Sequence, residues 1–220
     1  MNDHLLSVMC LSIAHCASLF VKPLNPQKTH TVRWFAVHAI INLVLSVHTF
    51  RSVYKAIQMP FDAANVQLHL NTFESSKFPM CLALWLHFYH VIFYPLSSQD
   101  IFHHCLFVTL LPLPGYIFDW GILGNCNLFF ICGLPGGLIY ILLIMQKCGM
   151  FLTIDEPRFS AFINVLFRCP GILFSSLLLT QNTISGVCTA PILCVIIQVS
   201  LGCFNAVYYA HQSIERTLRT

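Results

Sequence analysis

Along the chain, apolar stretches of about twenty residues alternate with short polar breaks, the length a helix needs to cross a hydrocarbon layer about 30 Å thick. Such windows occur at approximately residues 4–22, 34–50, 78–95, 100–118, 125–145, 160–179 and 186–209. Pro23 and Pro26 close the first, and Arg33 and Arg51 bracket the second. Residues 54–79 collect polar side chains and are expected to form a loop carrying an interfacial helix, while residues 211–220 are expected to form a polar tail. The pattern predicts an all-α chain, a single polytopic transmembrane helical bundle of six to seven helices over residues 1–220. Two breaks fall inside predicted spans: "PLPG" at 112–115 is expected to kink or end the fourth, and "CGLPGG" at 132–137 interrupts the fifth. The first window follows Asp3, with no Lys or Arg ahead of it, and so is expected as a retained helix rather than a signal peptide.

Composition agrees with that pattern. The chain is 57% hydrophobic and 9% charged, far below the roughly 25% charged of soluble domains, and its mean hydropathy is +0.74. Nineteen Phe residues exceed what one soluble core of this size hides, so lipid must cover many of them. The net charge of +3 is scattered, which excludes a nucleic-acid footprint. Counting Lys and Arg in short loops sets Lys22, Lys28, Arg33, Lys147, Arg158, Arg216 and Arg219 against Arg51, Lys55 and Lys77. That bias predicts a non-cytoplasmic amino terminus and a cytoplasmic carboxyl terminus. Cys10, Cys16, Cys105, Cys132, Cys194 and Cys203 lie in apolar runs without metal-like spacing and are expected as small buried hydrophobes.

The chemistry concentrates in residues 86–108. An Asp in mid-span costs about 2.5–3.5 kcal/mol to insert, so intramembrane polar groups face the bundle interior and a partner. His87 and His90 share a helix face, which Tyr94 extends by a turn; Asp100 lies three residues before His103 and four before His104. Its carboxylate is expected to reach one imidazole, fix its tautomer and leave the other ring nitrogen basic. Two other uses of these histidines stay open. One is hydrogen-bonding glue between helices. The other is metal ligation: "HFYH" and "DIFHH", with His38 and His48, offer imidazoles of the kind that iron and zinc accept, although Asp100 occupies the first place of an HxxHH box. No metal ligand set is assigned on this basis. Arg168, four residues after Asn164, is a candidate contact for a lipid or coenzyme A phosphate, or else a snorkelling side chain. "CGLPGG" offers a close backbone approach to a lipid tail or a neighbouring helix, and Trp120 in "FDWG" is expected as an interfacial anchor. No phosphate loop, nucleophile elbow or HExxH motif occurs.

The segment "DIFHHCLFVTL", an acidic residue and then a His pair near the start of a span in a chain of six or seven spans, resembles the TLC-domain (TRAM/Lag1/CLN8) family, which includes the ceramide synthases. The resemblance implies a TLC-like bundle in the endoplasmic reticulum or another endomembrane. It also implies acyl transfer from acyl-CoA, as co-substrate, to a lipid amine, without a bound cofactor. On it, His103 and His104 match the catalytic pair and Asp100 the acidic residue; His87, His90, Tyr94 and Arg168 are candidate substrate contacts from their own positions in the chain. Residues 127–143 contain no Asp or Glu, where ceramide synthases carry further acidic residues. A lipid sensor, a metal-dependent lipid-modifying enzyme and a non-catalytic accessory subunit therefore stand beside acyl transfer.

Overall fold

The computed structural model describes residues 2–68, 76–150 and 155–219. Their long regular segments are all helical: α1 Asp3–Ser18, α2 Thr29–Gln58, α3 Ala63–Leu68, α4 Phe78–Phe93, α5 Ser98–Phe118, α6 Gly121–Lys147, α7 Asp155–Ile184 and α8 Ile192–Leu218. Five of them, α2, α5, α6, α7 and α8, are long and apolar enough to cross a membrane. The 16-residue α1 and α4 reach only about 24 Å at ~1.5 Å per residue. Large apolar side chains face outward on each long helix: Val47, Ile117, Leu138, Phe167 and Val207 are all exposed.

Several boundaries differ from those the apolar pattern predicts, each for a local reason. α1 stops at Ser18, before the prolines that follow it. α2 continues past Phe50 to Gln58, because Ser52, Val53 and Ala56 keep a buried face there. The short α3 occupies part of the predicted 54–79 loop, of which residues 69–75 lie outside the described residues. α7 ends before Gly186, whose φ of 72° suits a left-handed helix stop. α8 starts only after Pro191 and runs helically through the predicted polar tail to Leu218. Its Arg216 binds both carboxylate oxygens of Glu156 near the start of α7, which holds these last turns in register.

Neither proline break ends its helix. Instead α5, α6 and α7 each contain one π-helical turn, at His104–Val108, Phe129–Gly133 and Asn164–Arg168. Each turn precedes a proline, Pro112, Pro135 or Pro170, and includes the residue four before it. A proline ring clashes with that carbonyl and donates no N–H, so the helix widens by one residue where an α-turn would collide.

α2 is the central helix and packs against α1, α4 and α6. Glycines bring α6 close: a Cβ on Gly136 would lie 2.8 Å from Asn42 Nδ2, and one on Gly137 3.2 Å from Leu43 Cδ2. The close approach at "CGLPGG" is therefore to a helix. Asp119, left-handed at φ 52°, and Gly121 at φ 51° reverse the chain between α5 and α6. This turn folds Trp120 inward, where it is 6% exposed, and not outward as an interfacial anchor. None of the eleven cysteines is in a disulfide; of the six expected to be buried, Cys16 and Cys105 are exposed and Cys10, Cys132, Cys194 and Cys203 are only partly buried.

Candidate functional site

A cavity of about 290 Å³ opens inside the bundle. Its walls are helical stripes of residues three, four or seven apart, the spacing that keeps side chains on one face. α2 contributes Trp34, His38 and Asn42; α4 contributes Ala83, Leu86, His87 and His90; α6 contributes Cys132, Gly136 and Tyr140; α8 contributes Gln198, Asn205 and Tyr209. From α5 come Asp100 and His103, and from α7 Arg168, at the end of its π-turn.

Of the residues singled out from sequence, His87, His90, Asp100, His103 and Arg168 line this cavity, whereas His104 and Tyr94 do not. His104 turns instead to His90, its Nε2 sharing a hydrogen bond of 3.1 Å with His90 Nδ1. Tyr94 ends α4 in extended backbone and packs its ring on Trp34, 5.2 Å away. His90 stacks on Trp34 at 3.6 Å between ring centroids. The histidines do gather: the rings of His87 and His103 are 5.4 Å apart, those of His87 and His104 5.2 Å, and those of His38 and His90 6.0 Å.

Asp100 does not orient the pair in the expected way. Its Oδ2 accepts from Ser97 N at 2.8 Å and from Ser97 Oγ at 2.6 Å, and Ser97 Oγ accepts from Asp100 N at 3.2 Å. This reciprocal capping box closes the start of α5, and the local bonds outcompete the reach toward His103 and His104. His103 is instead held by Tyr209, whose hydroxyl lies 3.0 Å from Nδ1. Tyr209 in turn lies under Arg168, with Cζ 4.5 Å from the ring centroid, and Arg168 Nη2 donates to Asn205 Oδ1 at 3.5 Å.

The cavity wall carries unused hydrogen-bonding capacity. Six of the nine buried side-chain nitrogen and oxygen atoms without a partner among the described residues belong to cavity residues: Asn42 Oδ1, His87 Nδ1, Trp120 Nε1, Arg168 Nε, Gln198 Oε1 and Asn205 Nδ2. Each such group costs about 1–3 kcal/mol unless something polar meets it. Among the described residues no three His, Cys, Asp or Glu side chains converge as a metal ion would require.

Asn42, Gln198, Asn205 and Tyr209 were not singled out from sequence. Their signal was nonetheless present: Gln198, Asn205 and Tyr209 recur at intervals of seven and four along an apolar helix, and Trp34, His38 and Asn42 at intervals of four. In comparisons with known proteins, no family model matches the chain, and no curated protein or solved structure is significantly similar to it.

Proposed function

We propose that the chain is an integral membrane protein that binds a lipid in its central cavity and transfers an acyl group from acyl-CoA to a lipid amine. The observation that carries this reading is the placement of a histidine-lined cavity, rich in unpartnered polar atoms, inside a bundle with an apolar outer surface. A polar site in lipid surroundings is costly, and such sites mark where a substrate is handled. In this reading α1 and α4 join the five long helices as spans in a TLC-like bundle of an endomembrane, with the amino terminus non-cytoplasmic and the carboxyl terminus cytoplasmic.

His103 is the base. In the tautomer this requires, Nδ1–H donates to the Tyr209 hydroxyl, which leaves Nε2 unprotonated for the substrate. Nε2 takes a proton from the attacking amine as the N–C bond forms at the thioester carbonyl; the C–S bond then breaks, and Nε2 gives that proton to the departing thiolate of coenzyme A. The His90–His104 pair, sharing one hydrogen bond, lies beside His103, with the His103 and His104 rings 5.7 Å apart.

The test is acyl transfer by purified protein in nanodiscs, supplied with radiolabelled acyl-CoA and a panel of lipid amines. N-acylated lipid is expected from wild type, with a loss of at least about a hundredfold in His103→Ala at unchanged helicity. Wild type that binds lipid but forms no product with any amine would remove the transferase reading and leave a lipid sensor.

A further inference from the structure

Arg168 and Asn205 hold one another in a fixed arrangement. Asn205 is fully buried, and because its Oδ1 accepts from Arg168 Nη2, its amide nitrogen is directed away from the guanidinium. Asn205 Nδ2 and Arg168 Nε are both buried without an acceptor, and both residues line the cavity. Two donors on a locked pair of side chains therefore await an oxygen.

Charge narrows the class of that oxygen. No carboxylate lies within ion-pairing distance of Arg168 among the described residues, and its titratable neighbours there include Tyr209, Cys132, Tyr140 and His103. Among the described residues the one carboxylate on the cavity wall, Asp100, is engaged by Ser97. A guanidinium stays protonated in proteins, so Arg168 puts on the cavity wall a positive charge that no carboxylate among the described residues ion-pairs, and a buried unpaired charge is costly. A ligand carrying a single negative charge neutralises it, and a planar carboxylate matches the donor fork in shape. A phosphate monoester, at about −1.5 to −2, overshoots. One part of the remaining wall is apolar, with Leu45, Met80, Leu86, Leu111, Leu128 and Ile131, which suits an alkyl chain.

We infer that Arg168 and Asn205 form a carboxylate subsite, and that the cavity takes a long-chain carboxylic acid with its head on these donors and its chain along the apolar wall. The inference rests on the lipid-cavity reading above and is independent of the acyl-transfer chemistry.

Isothermal titration of the full chain in detergent with decanoate, decanol and decyl phosphate tests it. Decanoate is expected to bind wild type at least about tenfold more tightly than decanol, the effect of one charged hydrogen-bonded contact, and more tightly than decyl phosphate. Arg168→Gln is expected to bring decanoate down to the affinity of decanol while leaving decanol unchanged, and Asn205→Leu to weaken decanoate severalfold. Equal affinity of wild type for decanoate and decanol overturns the subsite, and tighter binding of decyl phosphate overturns the carboxylate assignment. These comparisons use unaltered protein and do not depend on how the variants fold. Failure of all three ligands to bind removes the lipid-cavity reading together with the subsite. Carboxylate-selective binding without acyl transfer upholds the subsite and removes only the reaction.

Discussion

Glu156 and Arg168 lie on the same helix, α7, and both take a charge into the bundle, yet their surroundings differ in kind. Glu156 is fully buried and well supplied with donors: Ser160 Oγ donates to Oε1 at 2.8 Å, while Arg216 donates to Oε1 from Nη1 and to Oε2 from Nη2. Arg168 makes one long hydrogen bond of 3.5 Å, faces an aromatic ring and leaves Nε without an acceptor. The first arrangement is closed and ties the start of α7 to the end of α8. The second is open toward a cavity. A buried charge that its own chain satisfies is a structural element, and one left open has room for a ligand.

Removing the partner from the closed site gives the largest expected effect. Arg216→Met leaves the Glu156 carboxylate buried with only Ser160 of these donors, and breaking a buried pair in this way costs about 3–5 kcal/mol. Thermal unfolding in detergent is expected to show that loss, with the last turns of α8 exchanging amide hydrogens faster. Arg216 has a half-exposed side chain, so Glu156→Gln, which leaves no fully buried charge behind, is expected to cost less. If Arg216→Met unfolds at the wild-type temperature, the contrast between closed and open sites collapses.

The helices were legible because lipid-facing and core-facing positions are both apolar, so hydropathy marks each long helix whatever its partners. Their ends were less so. The tail at 211–220 reads as polar, and contacts to the distant Glu156 and Pro157 hold it as helix to Leu218. The three π-turns leave no trace in the apolar pattern, although Pro112, Pro135 and Pro170 mark their places once the clash with the fourth preceding carbonyl is considered. Spacing put Asp100 within reach of His103 and His104 but did not weigh Ser97 as a competitor. A Ser followed three residues later by an acidic side chain at a helix start satisfies two backbone donors locally, and here it takes the carboxylate. His103 and His104 look equivalent as neighbours in sequence. Only the positions of α4 and α8 separate them, by giving one Tyr209 and the other His90.

The Ser97–Asp100 cap is a second closed carboxylate, smaller and more exposed than Glu156. Ser97→Ala removes the hydroxyl that both donates to Asp100 Oδ2 and accepts from Asp100 N, and loss of such a cap costs about 1 kcal/mol. The same change releases Asp100 toward the cavity it already lines. The variant is expected to melt slightly earlier and to bind decanoate more weakly than wild type, because a freed carboxylate competes for Arg168. Unchanged decanoate affinity would show that Asp100 and the arginine do not share one electrostatic space.

Arg168→Gln is expected to change stability least, although it removes a full charge. Two losses accompany it: the long bond to Asn205, and a cation–π contact that contributes about 2 kcal/mol when desolvated. Against them stands relief from holding an unpaired guanidinium away from water, a penalty of several kcal/mol per ion before any partner offsets it. These terms are of similar size and opposite sign, so the midpoint of thermal unfolding without ligand is expected to shift by no more than ~1 kcal/mol equivalent. Ligand then separates wild type from variant: decanoate raises the melting temperature of wild type by mass action and leaves Arg168→Gln unmoved. A variant that loses as much stability as Arg216→Met would place Arg168 among the closed sites, as a structural charge whose partners are already complete.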